Sequence, residues 1–417
     1  MTIRRRDRGL SGDDMDCDGS RVSPDDLLDR LHAQPRLEPA LDALRDVPGV
    51  WVVGGAVRDV LIGREPRDLD LVVEGDVEAA ARRLGADTVV HDRFGTATAG
   101  GDVNIAAARR ERYERPGALP DVELGVPLKE DLARRDFSVN AIAVRLADGA
   151  LEAVPGALED LAARQLRVLH ERSFLDDPTR LLRLVRYGAR LRFPIEEKTR
   201  GWAFAAVGGG ALATVSGSRL GAELRLLLAE PQPTAVCGLE GLGIGPRLLP
   251  GFRVDPDLAE RAERLTPEDA RADLVALAAC CLDAAAAELA QRLDELAFTA
   301  RERETVVAAA SRARSLAPVM GGMDRPSALW ALLRREAPET VALAGALGAP
   351  DAAGRWLSEL RGTRLAIDGD DLLAAGLSGP AIGRALDAAM GAALDGEAGD
   401  REAQLAVALA GERQLRQ

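Results

Sequence analysis

Aromatic residues make up only 3% of this 417-residue chain, so its hydrophobic cores must be assembled from Leu, Val and Ala. Histidine is just as scarce. His32, His91 and His170 are the only three, and one His91–Asp92 pair on a β-type run does not make a metal cage. The four cysteines, Cys17, Cys237, Cys280 and Cys281, lack metal-ligand spacing. Adjacent Cys280 and Cys281 sit in an Ala-rich stretch and read as small buried residues of a protein kept in a reduced compartment. No run is long and apolar enough to cross a membrane, and the N-terminus, MTIRRRDRGLSGDDMDCDGS, lacks the apolar region of a signal peptide. Residues 1–22 therefore read as a charged, flexible leader, and the expected location is the cytoplasm. No sequence repeat of fixed period is visible.

What is present is a hydrophobic content of 47%, enough for several cores, in a length that predicts about two to four compact units. The net charge of −13 argues against a nucleic-acid partner until its distribution is considered. Between residues 161 and 200 ten basic residues face five acidic ones, a local charge of +5. At helical spacing Arg183, Arg186 and Arg190 share one side with Arg180 at its margin, opposite Leu181, Leu184, Val185 and Gly188. Such a stripe is usually a solvated face. Here Asp177 and Arg180 open the helix, so a base could meet a donor–acceptor pair there while the later arginines face phosphate.

The texture changes along the chain. Ser23 before Pro24 reads as a helix cap, and 24–46 as a helical lead-in. From 50 to 145 β-type runs (WVV, LDLVV, TVVHD, ATAGGDVNIAAA, FSVNAIAVRL) alternate with helical stretches, which predicts a mixed α/β head. Beyond about 158 the β-signals vanish and helical periodicity dominates, broken at 208–210, 241–251 and 320–326.

Within the head, residues 52–73, VVGGAVRDVLIGREPRDLDLVV, combine two features that are weak singly. Gly54-Gly55 permits the tight turn and close backbone approach that a phosphate needs, ahead of a short helix whose amides and Arg58 would face the same anion. Asp68 and Asp70 flank Leu69, so strand alternation sends both carboxylates to one face and Leu69 to the core. Two such carboxylates suit Mg²⁺, and a two-metal site stabilises the attacking and leaving oxygens of an in-line phosphoryl displacement. A dinucleotide-binding reading fails, because GGAVRD is not G-x-G-x-x-G and the acidic pair comes too soon after it.

That order of motifs, together with the segments downstream, resembles the class II tRNA nucleotidyltransferases, the CCA-adding enzymes, and their relatives the bacterial poly(A) polymerases. DLARRDFSVNAIAV (131–144) is similar to the family's RRD-x-x-x-N-A segment, and DDPTRLLRLVRYGARLRF (176–193) to its E-D-x-x-R helix. Residues 152–169 are similar to the connecting segment, and LAIDGDDLLAAGLSGPAIGRALDAAM (365–390) to a tail pattern. The resemblance implies an α+β fold: a small nucleotidyltransferase head with a polymerase-β-like mixed sheet (23–157), then all-helical neck (158–235), body (236–330) and tRNA-binding tail (331–417). It implies that Asp68 and Asp70 bind metal, and that Gly54, Gly55 and Arg58 meet the nucleotide phosphates. It further implies that Arg135 contacts the nucleotide, and that Asp136 and Asn140 lie near the ribose or brace the loop. Asp177 and Arg180 match the pair that reads the base edge, and Arg183 and Arg186 further nucleotide contacts. The implied reaction is attack of a tRNA 3′-hydroxyl on the α-phosphate of CTP or ATP, without a nucleic-acid template, with Mg²⁺ present and pyrophosphate leaving.

Two positions depart from the family pattern. Asn104 stands where a third Asp or Glu is usual, with Asp102 two residues earlier as a possible substitute, and Asp176 stands where Glu is commoner. The segment 108–123, ARRERYERPGALPDVE, is compact where CCA-adding enzymes often carry a longer loop, a form that also occurs in enzymes adding only CC or only A. The scarcity of histidine argues against the HD phosphohydrolase domain of some relatives. Two other readings stay open: a poly(A)-adding polymerase, and a catalytically weak RNA-binding relative suggested by Asn104.

Overall fold

The structure, a computed structural model, describes residues 24–35, 37–85, 89–91, 95–99, 103–230 and 234–414. The leader, Ser23, Cys17 and Asp102 lie outside these residues. The chain divides into two compact units: a head made of the described residues up to Glu111 with Val122–Ala162, and a second unit made of Arg112–Asp121 with the chain from Ala163 onward.

The head begins with helices α1 (Pro24–His32) and α2 (Glu38–Leu44), followed by strand β1 (Val50–Val53), helix α3 (Gly55–Leu61), strand β2 (Leu69–Val73) and helix α4 (Val77–Arg83). Strands β3 (Val89–His91), β4 (Thr96–Ala99) and β5 (Val103–Ala107) come next, then a two-stranded ribbon, β6 (Arg109–Arg112) and β7 (Asp121–Leu124). Helix α5 (Leu128–Ala133), strands β8 (Ile142–Arg145) and β9 (Leu151–Ala153) and helix α6 (Ala157–Ala162) complete the unit. Seven strands form one mixed sheet in the order β3-β4-β5-β2-β1-β8-β9. All four residues of β1 are buried, and Leu69 and Leu71 of β2 are covered as alternation requires. Burial of each leucine contributes about 2 kcal/mol.

The register fixes the neighbours of Asp70. β1 runs antiparallel to β2 with Val53 opposite Asp70, while β5 runs parallel on the other side with Asn104 opposite the same residue. Asp70 thus lies between the strand end that feeds the Gly-Gly turn and the position of the missing carboxylate.

The run FSVNAIAVRL differs from its expected single strand. Ser138–Asn140 form a 3₁₀ turn and the strand starts only at Ile142, because the Asp136 carboxylate accepts from the Phe137 backbone amide and the Asn140 side-chain amide and curls the chain. ATAGGDVNIAAA resolves into two strands. β6 carries RRER, with no apolar residue, and β7 carries DVEL, whose brief Val122/Leu124 alternation stays exposed, which is why the sequence did not reveal them.

In the second unit, helices α7 (Ser173–Asp176), α8 (Thr179–Leu191), α9 (Glu197–Gly208) and α10 (Gly217–Leu228) precede a purely helical continuation to Gln414 among the described residues. Its cores are Leu, Val and Ala packing, with Cys280 and Cys281 buried as small residues and the Cys281 thiol pushed up to about 12 by burial. The segment 366–409 has its own cluster: Ile367, Leu372, Leu377, Ala385, Ala389 and Ala408. No described helix is long and apolar enough to cross a membrane.

Candidate active site

In the head, the site begins at a backbone position only glycine fits. Gly54 has φ +70° and ψ −123°, and a Cβ there would lie 2.8 Å from Arg135 Nη1. Its amide donates to the Ile142 carbonyl and its carbonyl accepts from the Arg58 amide, so β8 and α3 clamp the turn. Arg58 is 1% exposed, with Nε donating to Asp59 and Nη1 to Asn140 Oδ1. Asn140 in turn donates to Asp136 Oδ1 at 3.0 Å. These side chains form a buried relay from α3 to the 3₁₀ turn, in which Arg58, Asp136 and Asn140 hold one another.

Arg135 is anchored from the other side. Its Nη2 donates to Asp131, which also binds Arg134 and the Arg109 amide, while its Nε is buried without a partner among the described residues. Burial of Asp131 works against its charge, but the two guanidinium groups prevail and hold the carboxyl below its usual range.

The acidic pair is open. Asp68 is exposed just before β2, Asp70 is half-buried, and Asn104 Nδ2 donates to Asp70 Oδ1 at 3.2 Å while Thr98 Oγ1 donates to Asn104 Oδ1. No cluster of three or more Asp, Glu, His or Cys occurs among the described residues.

In the second unit, Asp177 precedes α8. Its Oδ1 accepts from Thr179 N (3.1 Å), Thr179 Oγ1 (2.6 Å) and Arg219 Nη2 (2.9 Å). Arg180 is buried and donates to Ser173 Oγ at 2.7 Å. Burial and the neighbouring Arg180 guanidinium lower the His170 pKa below that of a free imidazole. Arg183 and Arg186 both donate to Glu223 of α10, Arg190 binds Glu230, and all three guanidinium groups lie within 6 Å of the Tyr187 ring centre. Arg186 Nε is buried with no partner among the described residues. The basic stripe read from the sequence is thus largely compensated by acidic residues 37 to 40 positions away. Asp131, Ser173, Arg219, Glu223 and Glu230 were not singled out from the sequence: Asp131 opens the 131–144 segment without a role of its own there, and the other four belong to no local motif that marks them.

Comparison with known proteins gives a consistent result. Residues 50–167 match the poly(A) polymerase head domain. The A-adding tRNA nucleotidyltransferase of Geobacter sulfurreducens is 34% identical over 394 residues, covering 86% of this chain and 45% of that protein. The CC-adding tRNA nucleotidyltransferase of Deinococcus radiodurans is 40% identical over 333 residues, covering 75% of this chain and 84% of that protein. The chain thus spans under half of the first relative and most of the second. Among solved structures, a Thermotoga maritima CCA-adding enzyme complexed with tRNA superposes with a TM-score of 0.75 at 27% identity, covering 94% of this chain and all of that one. A CCA-adding enzyme in complex with CTP gives a TM-score of 0.75 at 28% identity, with the same coverage.

Proposed function

Because the chain belongs to the tRNA nucleotidyltransferase and poly(A) polymerase family, we propose that it adds C, A or both to the 3′ end of tRNA, using CTP or ATP. The observation that carries this reading is the sheet register, which sets Asp70 beside Val53, the residue that delivers the Gly54-Gly55 turn. A carboxylate pair and a phosphate-sized backbone turn therefore share one end of the sheet.

In the reaction, the terminal 3′-oxygen of the tRNA bonds to the α-phosphorus, the α–β phosphoanhydride bond breaks, and the hydroxyl proton and pyrophosphate leave. Asp68 and Asp70 offer hard oxygen donors that fit Mg²⁺, an ion that takes few protein carboxylates and keeps waters and substrate phosphates. Bound there, Mg²⁺ would supply charge neutralisation at the reacting phosphate. Asn104 orients Asp70 through its amide. Gly54 and Gly55 let the backbone approach the triphosphate, and Arg135 offers its unpartnered Nε. Arg58, Asp136 and Asn140 keep that turn rigid, so Arg58 acts from within the protein. Asp177 and Arg180 read the base, and Arg183 and Arg186 complete the nucleotide contacts with Arg186 Nε as the available donor. Positioning and fixed charge supply most of the rate.

The helical neck, body and tail (158–235, 236–330, 331–417) carry the tRNA grip, and the cytoplasm is the proposed location. The similar proteins named as A-adding and CC-adding tRNA nucleotidyltransferases favour a restricted product, CC or A alone, over the whole CCA. A poly(A) tail is disfavoured by the tRNA-directed names of the relatives. The test is incorporation of labelled nucleotide into tRNA with Mg²⁺, with a chelator, and with Asp68→Ala or Asp70→Ala. Incorporation that survives the chelator or either substitution would refute the metal-carboxylate assignment.

A further inference from the structure

Asp177 distributes its hydrogen bonds unevenly. Three donors converge on Oδ1, while among the described residues no donor meets Oδ2, although the side chain is only 18% exposed. The strongest of the three is the guanidinium of Arg219, from the first turn of α10. A half-buried carboxylate held by one oxygen leaves the other as a directed acceptor.

Arg219 is fixed at its far end too. Its Nη1 donates to the Gly117 carbonyl at 3.0 Å, and the Gly117 amide donates to the Leu175 carbonyl at 3.1 Å. Gly117 has φ +71°, and a Cβ would stand 2.1 Å from Thr214 Oγ1, so this residue is seated against Thr214 as only glycine can be. The planar fork of Arg219 therefore links a pinned backbone carbonyl in the 112–121 segment to the Asp177 carboxylate.

We propose that Arg219 is a positioning residue for base selection, holding Asp177 by Oδ1 and tying it to the Gly117 carbonyl, so that Oδ2 serves as the acceptor for the incoming base. The inference rests on the assignment of Asp177 to the base edge. Cytosine and adenine each present an amino group, N4 or N6, where uracil and guanine present a carbonyl oxygen. A fixed acceptor rewards the first pair and repels the second. A carboxylate free to rotate loses that discrimination before it loses the nucleotide, because triphosphate contacts come from other residues.

The experiment measures kcat/KM on the full chain for CTP against UTP and ATP against GTP, using tRNA lacking its terminal nucleotides. Arg219→Ala is expected to lower the selectivity ratio for the preferred nucleotide about tenfold, with a smaller change in KM for the triphosphate. Arg219→Lys, which keeps a cationic donor, should recover part of the ratio, and Gly117→Ala should lose part of it by displacing the carbonyl. In the Asp177→Ala background, Arg219→Ala should add nothing further, since it acts through the missing carboxylate. If Asp177→Ala destroys selectivity while Arg219→Ala, or Arg219→Lys where Ala does not fold, leaves it intact, the positioning role is wrong and the base-reading assignment stands. Additive losses in the double variant would also overturn it. Selectivity that survives Asp177→Ala would overturn the base-reading assignment itself.

Discussion

At the scale of single residues, the functional load falls on a few carboxylates whose surroundings differ. Asp68 and Asp70 stand open at the end of β2, so replacing either with Ala should abolish nucleotide addition while tRNA affinity, measured by filter binding, changes less than about threefold. Equal losses in turnover and affinity would contradict the metal role. Asn104 lies beside Asp70 and donates to it. Asn104→Asp should lower the Mg²⁺ concentration for half-maximal rate by about threefold or more, because a third charge strengthens an oxygen site for a hard cation. An unchanged Mg²⁺ titration would place position 104 outside the metal site.

Asp131 works in the opposite way, as a buried carboxylate that organises arginines. Removing its charge takes the carboxylate partner from Arg135 and leaves Arg134 to Glu111, so Asp131→Asn should destabilise the fold by about 2 to 3 kcal/mol in denaturant melts. Its pKa is depressed in the folded state, so its stabilisation is complete above the unfolded value near pH 4 and drains away as pH falls through the lower native value. The variant should therefore show a shallower loss of stability as pH falls below about 4 than the wild type.

At the scale of elements, turns and close approaches decide what the strands and helices can present. Gly54→Ala would force an L side chain into a glycine-only conformation, at a cost of about 1 to 3 kcal/mol, and press its Cβ against Arg135. The expected result is a raised KM for every nucleotide with little change in selectivity; a change confined to kcat would contradict the phosphate role of the turn. Strand β2, which carries Asp70 and begins one residue after Asp68, was legible because its apolar run is local, and α8 because its apolar face repeats at helical spacing. The 3₁₀ turn at Ser138–Asn140 was not legible, since it depends on Asp136 bonding the backbone instead of extending it. β6 and β7 were hidden for another reason: β6 is wholly charged, and the two apolar side chains of β7 are too few and too exposed to mark a strand. The acidic partners of the α8 arginines lie on α10 (Glu223) or just beyond it (Glu230), and sequence distance conceals ion pairs of that kind.

At the scale of the whole molecule, the order of motifs specified the two-part plan, a mixed-sheet head and a helical remainder. Where the division falls was less visible: Arg112–Asp121 interrupts the head in sequence yet groups with the helical unit. The negative net charge also misleads when taken alone, as the arginine-rich stretch and its acidic partners sit in one unit. The account's central claim is that this chain extends the tRNA 3′ end by a defined, short count without a template. The direct measurement supplies tRNA ending at the discriminator base, at C or at CC with labelled CTP and ATP separately, and reads the lengths on a sequencing gel. The account predicts that at least one of these ends is extended by C or A with Mg²⁺ present and then stops, within the three positions of CCA. No incorporation on any of them, or an unbounded tail of A, would contradict it.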